Sequence, residues 1–224
     1  MRWHDPSTAP TLDSGEAHVW LIRDAEPLPT WVCDTDCLSE SERTRAANIR
    51  HPLAHAQFVR GRIVLRSALA HWLRRAPAEI AIQLTADGKP VIEDAGVHFN
   101  MSHTAGFALF GIGPRPLGVD VETADPKRDC DGLMRRYFLP AEQEQYFRLP
   151  PTRHSEAFLR GWTCKEALLK AIGSGVRDLQ NCRVNINPDE PPAVFESPGT
   201  DSWRLQAGEV EPGVAWAVAE EAML

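Results

Sequence analysis

Residues 158–172 read as a helix that carries a charge where its own pattern asks for an apolar side chain. Counted at helical period, Phe158, Trp162, Leu169 and Ile172 fall on one stripe, and Lys165 falls at the stripe's centre. A helix of this kind must bury the stripe against other elements, so the rest of the chain has to fold around it. An ammonium buried without a partner costs roughly several kcal/mol, so the expected partner is a carboxylate, a phosphate, or open water at the mouth of a cleft. Two plainer arrangements compete. Lys165 can run its stem along the stripe and lift its ammonium to the surface, and the i,i+4 pair Glu166 and Lys170 can be a solvated face worth a few tenths of a kcal/mol, roughly.

The segment Leu117-Gly118-Val119-Asp120-Val121-Glu122 alternates strictly. As a strand it places Leu117, Val119 and Val121 on one face and Asp120 with Glu122 on the other, about 7 Å apart. That is too far for a shared proton but suits two single bonds to one hard cation. Glu166 from the helix adds a third oxygen donor, a set matching Mg²⁺ with water and phosphate in its remaining positions. The alternative is a strand edge that faces solvent.

A third segment, Val97-His98-Phe99-Asn100-Met101-Ser102-His103-Thr104-Ala105-Gly106, runs as a strand into a turn, with a second strand returning over 107–112. Ser102 and His103 sit at its exit, where side chains and backbone N–H groups can meet a ligand. No Gly-x-Ser-x-Gly elbow surrounds Ser102, which argues against a hydrolase triad.

Three blocks in this order, His98-Phe99-Asn100-Met101-Ser102-His103, Gly118-Val119-Asp120-Val121-Glu122 and Trp162-Thr163-Cys164-Lys165-Glu166-Ala167-Leu168-Leu169-Lys170, resemble those of the 4′-phosphopantetheinyl transferases of the surfactin-synthetase type. The resemblance extends more loosely from Ser39 to Val176. It implies Mg²⁺-dependent transfer (Mn²⁺ as the possible substitute) of the phosphopantetheine arm of coenzyme A to a serine of an acyl or peptidyl carrier protein, with release of 3′,5′-ADP. By the same resemblance Asp120, Glu122 and Glu166 hold the metal, and Lys165 meets a phosphate of the pyrophosphate. Ser102 and His103 contact the coenzyme A phosphates, His103 near the 3′-phosphate. Glu166 receives the proton of the attacking serine, so Glu166 and Lys165 are the expected catalytic pair. Lys89, in the turn Asp87-Gly88-Lys89-Pro90, matches a basic residue near the adenine nucleotide, and Lys170 belongs to the motif.

One departure concerns the helix around Gln57-Phe58-Val59-Arg60-Gly61-Arg62. The family commonly begins it with a basic residue that grips the 3′-phosphate, and this chain has Gln57. Arg45, Arg60 and Arg62 are the nearby replacements, Arg45 best matching an upstream basic position, and Arg45 and Arg62 join the expected cofactor-binding set.

The chemistry is coherent without the resemblance. A serine hydroxyl is a poor nucleophile, so its attack on a pyrophosphate needs in-line placement, neutralised phosphate oxygens and a proton acceptor.

Composition narrows the class. The chain has 224 residues, 43% of them hydrophobic, and a net charge of −7, enough for a substantial core and a poor match to a general nucleic-acid binder. No run reaches the ~18 apolar residues of a membrane span and no leader pattern opens the chain, so the expectation is a cytoplasmic protein, and the resemblance implies a monomer. Cys33, Cys37, Cys130, Cys164 and Cys182 contain no Cys-x-x-Cys pair, which disfavours a disulfide framework or a zinc site. His51 and His55 are spaced i,i+4, but Pro52 puts His51 ahead of the helix start.

The expected elements are a strand at 17–22; a capping box Ser39-x-x-Glu42 opening a helix to 49; a helix from Pro52 to about 75; strands at 80–84, 97–101, 107–112 and 117–122; helices at 132–137, 141–148 and 152–172, the last stopped by Gly173 and Gly175; and antiparallel strands at 183–186, 193–196, 203–207 and 214–219. Each half runs strand, helices, strands. The expected fold is α+β, two similar α/β halves (1–114 and 115–224) in pseudo-twofold relation, with the active site at their interface. A Mg²⁺-dependent pyrophosphate hydrolase and a non-catalytic coenzyme A or carrier-binding protein are the alternatives.

Overall fold

The computed structural model describes residues 1–8, 15–85, 88–93, 95–198 and 202–222. The fold is mixed α+β, with five α-helices and two principal sheets among the described residues. The first sheet is ordered β1-β2-β6-β5, from β1 (Arg2–Trp3), β2 (His18–Arg23), β5 (His98–Thr104) and β6 (Phe107–Gly113). The second is ordered β10-β11-β7, from β7 (Leu117–Thr123), β10 (Trp203–Glu211) and β11 (Val214–Glu221). Both are built alike: a first strand, β2 or β7, pairs antiparallel with the second strand of a later hairpin. Short pairs β3 (Gln83–Leu84) with β4 (Pro90–Val91), and β8 (Arg183–Val184) with β9 (Val194–Glu196), flank them.

Local chemistry sets the helix ends. The helix α1 (Glu40–Asn48) opens on a capping box in which Glu42 N–H donates to Ser39 Oγ at 3.2 Å and Ser39 N–H to the Glu42 carboxylate at 3.0 Å. The long helix α2 (Pro52–Leu73) begins with proline in its first turn, and the His51 ring accepts from Ala54 N–H. Helices α3 (Cys130–Tyr137) and α4 (Pro140–Arg148) lead to α5 (His154–Ile172), which ends at Gly173 in the left-handed conformation, φ 89°.

Each long helix carries one buried cation that reaches the capping carboxylate of a shorter helix. Arg66 on α2 donates to Glu42 at 2.6 Å and to the Pro77 and Ile80 carbonyls. Lys165 on α5 meets Glu142 at 2.6 Å, and Glu142 also accepts from Leu139 N–H, opening α4, and from Val184 N–H on β8. The sequence Phe-x-Arg-Gly occurs at 58–61 on α2 and again at 158–161 on α5. Both arginines donate to backbone carbonyls, Arg60 to Arg23 and Glu26, Arg160 to Glu190.

The sheets meet edge to edge at β5 and β7, where side chains take the place of a ladder. Val119 N–H donates to Asn100 Oδ1 at 3.0 Å and Thr123 N–H to Thr104 Oγ1 at 3.2 Å. Both pairs are separated by 19 residues, so the two strands run in the same direction. Leu117, Val119 and Val121 form an apolar layer with Val19, Leu109 and Val218 beneath this joint. Farther out, Trp3 lies edge-on to Trp216 at 4.6 Å and Arg23 pairs with Glu211 at 2.8 Å.

The elements differ from the sequence pattern in several places. The strand expected at 80–84 narrows to Gln83–Leu84, because Ile80 leaves a 3-10 turn at Pro77–Glu79 and inserts into the core. The strand expected at 183–186 stops at Val184, because the Asn185 carboxamide bonds the Glu190 carboxylate and the Pro191 carbonyl and bends the chain. The two-residue β1 was not anticipated, being too short to show alternation. Asp87, part of the turn that carries Lys89, lies outside the described residues.

The N-terminal segment is held by His4, whose Nε2 lies 2.6 Å from Nδ1 of the fully buried His18 and whose ring stacks on Trp20. Burial, then His18, then Arg2 hold the His4 imidazole below its usual range, against a weaker pull from Glu16. A base depressed in the native state binds its proton more readily once unfolded. Its contribution is therefore full above 6.5 and is lost as pH falls from there toward the depressed value. Denaturant midpoints at pH 7.5 and 5.0 will show a larger acid loss for the parent chain than for His4→Phe.

Candidate functional site

The site grows from the joint between the sheets. On β7 the face opposite the apolar layer carries Gly118, Asp120 and Glu122. A Cβ at Gly118 would collide with the α5 backbone at Ala167 and Ala171. Only glycine lets the helix come this close, and that approach puts Glu166 and Lys170 over the two carboxylates.

Asp120 is 3% exposed, and its two oxygens differ. Oδ1 accepts from Ser102 Oγ at 2.7 Å and from Lys170 Nζ at 2.6 Å. Oδ2 is buried with no hydrogen-bond partner. Lys170 Nζ also donates to Ser102 Oγ at 3.1 Å and to the Val119 carbonyl at 3.4 Å. A buried carboxylate oxygen without a donor costs roughly 1–3 kcal/mol or more.

Glu122 and Glu166 complete the cluster. Burial first, then the charge of Asp120, pushes the Glu122 carboxyl up, against Arg128 at 3.5 Å and Lys170. Burial and then Asp120 push Glu166 up in the same way, with Glu122 adding to the rise and Lys170 opposing it. Both glutamates therefore feel the charge of Asp120, and Glu166 also feels that of Glu122. Among the described residues no three His, Cys, Asp or Glu side chains are already drawn into a cage for a metal ion. The donor set is nonetheless that of a hard divalent cation: all oxygen, and with one bare buried oxygen.

Lys165 requires a correction. It is completely buried, and its three hydrogens have three partners: Glu142 at 2.6 Å and the Leu179 and Cys182 carbonyls at 2.8 and 2.9 Å. Its ammonium also lies 4.6 Å from the Phe138 ring centroid. Of the partners open to a charge on the stripe, the fold supplies the carboxylate. The hydrogens of Lys165 are all taken within the core, whereas Lys170 reaches Asp120.

The other expected residues divide. Ser102 is in the cluster, 7% exposed, and His103 is exposed beside it on β5. Lys89 donates to the Lys170 and Ala171 carbonyls at 2.7 and 2.9 Å, capping the last turn of α5. With Lys170, Asn100, Ser174 and Arg177 it lines a cavity of about 440 Å³ beside the carboxylates. Arg45 and Arg62 meet at the junction of α1 and α2. Their guanidinium groups stand 5.3 and 5.5 Å from the Phe58 ring, and Arg62 is 3.9 Å from Glu42. Gln57 donates to Asp24 at 2.9 Å and to the Thr104 carbonyl at 3.4 Å, at the exit of β5.

Sequence reasoning missed Glu142, Asn100 and Arg177. Glu142 was findable, because Pro140-Ala141-Glu142 is a helix opening with an acidic residue at the third position. Arg177 belongs to no motif, and only the fold brings it to the cavity.

The family can now be stated. A family model described as the 4′-phosphopantetheinyl transferase superfamily matches residues 116–219. The chain is 34% identical over 200 residues to the 4′-phosphopantetheinyl transferase HetI of Nostoc sp., covering 87% of this chain and 83% of that protein. It is 31% identical to a phosphopantetheinyl transferase of Thraustochytrium sp., over 72% of this chain and 62% of the other. It is 24% identical to the 4′-phosphopantetheinyl transferase Sfp of Bacillus subtilis, over 81% of each. The chain belongs to the 4′-phosphopantetheinyl transferase superfamily.

The two lysines of α5 will separate by experiment. Lys165→Ala leaves Glu142 buried and unpaired and will cost about 3–5 kcal/mol of unfolding free energy. Lys170→Ala also strips a partner from the buried Asp120, and is distinguished by weakening coenzyme A binding in the folded protein. Urea denaturation and calorimetric titration of both variants check this.

Proposed function

We infer that the chain is an enzyme that transfers the 4′-phosphopantetheine arm of coenzyme A to a serine of a carrier protein, releasing 3′,5′-ADP and converting the apo carrier to its holo form. The observation that carries the reading is the Asp120 carboxylate, pinned through one oxygen and bare at the other, in the field of Glu122 and Glu166. We assign Asp120, Glu122 and Glu166 to Mg²⁺, or Mn²⁺ in its place. When bound, the cation supplies charge that stabilises the pyrophosphate oxygens as the P–O bond breaks.

The chain's own residues do the rest. Lys170 stands between Asp120 and the cavity lined by Lys89, Ser174 and Arg177, so its ammonium is placed to meet a phosphate of a coenzyme A lying there. Glu166, with its affinity for protons raised, accepts the hydrogen of the attacking serine directly or through a water. The serine oxygen bonds to the phosphorus that bears pantetheine, and 3′,5′-ADP departs with the electron pair. His103, exposed at the end of β5, is assigned to the nucleotide phosphates.

The finer placement is with the surfactin-synthetase type, supported by three motif blocks in order on one chain. We divide the chain into related halves at 1–114 and 115–224. The shared strand order, the repeated Phe-x-Arg-Gly and the matching buried cation-to-cap pairs support the division. We place the enzyme in the cytoplasm as a monomer; among the described residues no helix is long and apolar enough to cross a membrane.

Intact-mass spectrometry of an apo carrier incubated with this chain, coenzyme A and Mg²⁺ will show a gain of about 340 Da that disappears with EDTA or without the acceptor serine. Glu166→Gln will lower the rate about 10²–10⁴-fold with the fold intact. Release of 3′,5′-ADP without carrier modification would favour a hydrolase, and coenzyme A binding with neither product a binding protein.

A pH dependence follows. Glu122 and Glu166 titrate above their usual range in the metal-free protein, so a cation must displace protons that persist above pH 4.5. The rise in melting temperature on adding Mg²⁺ with coenzyme A will be larger at pH 8 than at pH 5.5. An equal rise at both would contradict the carboxylate assignment.

A further inference from the structure

We propose that Arg128 competes with the divalent cation for Glu122 and so limits how tightly this enzyme holds its metal. The proposal rests on the metal assignment above and deepens it. It adds a residue from the loop between β7 and α3, which none of the three motif blocks contains.

The backbone fixes where this side chain starts, and a loose contact fixes where it ends. Arg128 N–H donates to the Asp125 carbonyl, and the Arg128 carbonyl accepts from Cys130 N–H. From that turn the guanidinium reaches the Glu122 carboxylate at 3.5 Å, with the two side chains 26% and 28% exposed. The Arg66–Glu42, Lys165–Glu142 and Lys170–Asp120 pairs all close to 2.6 Å. A single long contact between part-exposed groups costs little to open.

Charge decides the direction of the effect. An ion bound to Glu122 shares that carboxylate with a guanidinium. If the pair stays closed, two cations repel each other across it; if the pair opens, its attraction is lost. Both weaken the metal. A second seat is at hand for the displaced group, because Arg128 also lines a cavity of about 420 Å³ with Asp125, Asp129 and Asp131. Asp125 and Asp129 each accept a backbone N–H through Oδ1, so their other oxygens can receive a guanidinium that leaves Glu122.

The test is a Mn²⁺ titration of the protein without coenzyme A at low ionic strength, read from the free-ion signal in electron paramagnetic resonance. Arg128→Gln should tighten Mn²⁺ about 2–5-fold, the range of a part-exposed ion pair. Arg128→Glu, which reverses the charge beside the site, should tighten it further. An arginine with a structural role alone would leave the affinity unchanged or lower it. Unchanged or weaker Mn²⁺ affinity in either folded variant therefore overturns the proposal, and each variant reads the effect by itself should the other fail to fold. Glu122→Gln is the control: if it holds Mn²⁺ as tightly as the parent chain, the metal assignment itself is wrong, whatever the Arg128 variants do.

Discussion

An ammonium with no exposed surface sits in the middle of α5, and the energetics of the second half of the chain turn on it. Lys165 joins Glu142, the Leu179 and Cys182 carbonyls and the Phe138 ring. Through Glu142 the same interaction reaches the start of α4 and the strand β8. Buried pairs of this kind add little net stability compared with an apolar replacement, but removing one partner is expensive. Their value lies in geometry. With Lys165 locked on one side of the helix, Glu166 and Lys170 have a fixed direction on the other.

That direction would be useless if the helix stood at an ordinary distance from the sheet. Gly118 removes the side chain that would hold α5 away, and Gly173 with Lys89 finishes the helix just beyond Lys170. Three carboxylates and one lysine then converge where two sheets meet without a shared ladder. Asn100 and Thr104 supply side-chain acceptors there. An arrangement stitched by side chains leaves room for ligands that a continuous sheet would fill with backbone. The cost is electrostatic, carried by raised carboxyl groups and a bare oxygen, and the divalent cation we propose would relieve it.

Much of this was legible in the sequence. The alternation at 117–122 gave both faces of β7, and the capping box at Ser39, Pro52 at a helix start and Gly173 at a helix end are local chemistry that tertiary contacts left in place. Lys165 was recognised as anomalous for the right reason. Its partner was not, because helical periodicity says that a charge is buried but not which distant residue neutralises it. The repeated Phe-x-Arg-Gly, 100 positions apart, was also readable and overlooked, since four residues carry little weight until the fold sets them on equivalent helices. Arg45 and Arg62 come to the nucleotide only by resemblance, and what the fold adds is that both guanidinium groups pack on Phe58 at the α1–α2 junction. The two hydrogen bonds to Asp120 Oδ1 lay beyond sequence reach, since they depend on distances across three elements.

The central claim is that α5 carries two lysines with opposite duties, one neutralising the protein and one facing the substrate, with a cation site between α5 and β7. Anomalous diffraction from crystals of the chain with coenzyme A and Mn²⁺ tests it most directly. The account predicts a manganese peak bound to Asp120 Oδ2 with Glu122 and Glu166, Lys170 at a phosphate, and Lys165 still on Glu142. A peak bound elsewhere, or Lys165 swung out to a phosphate, would contradict it.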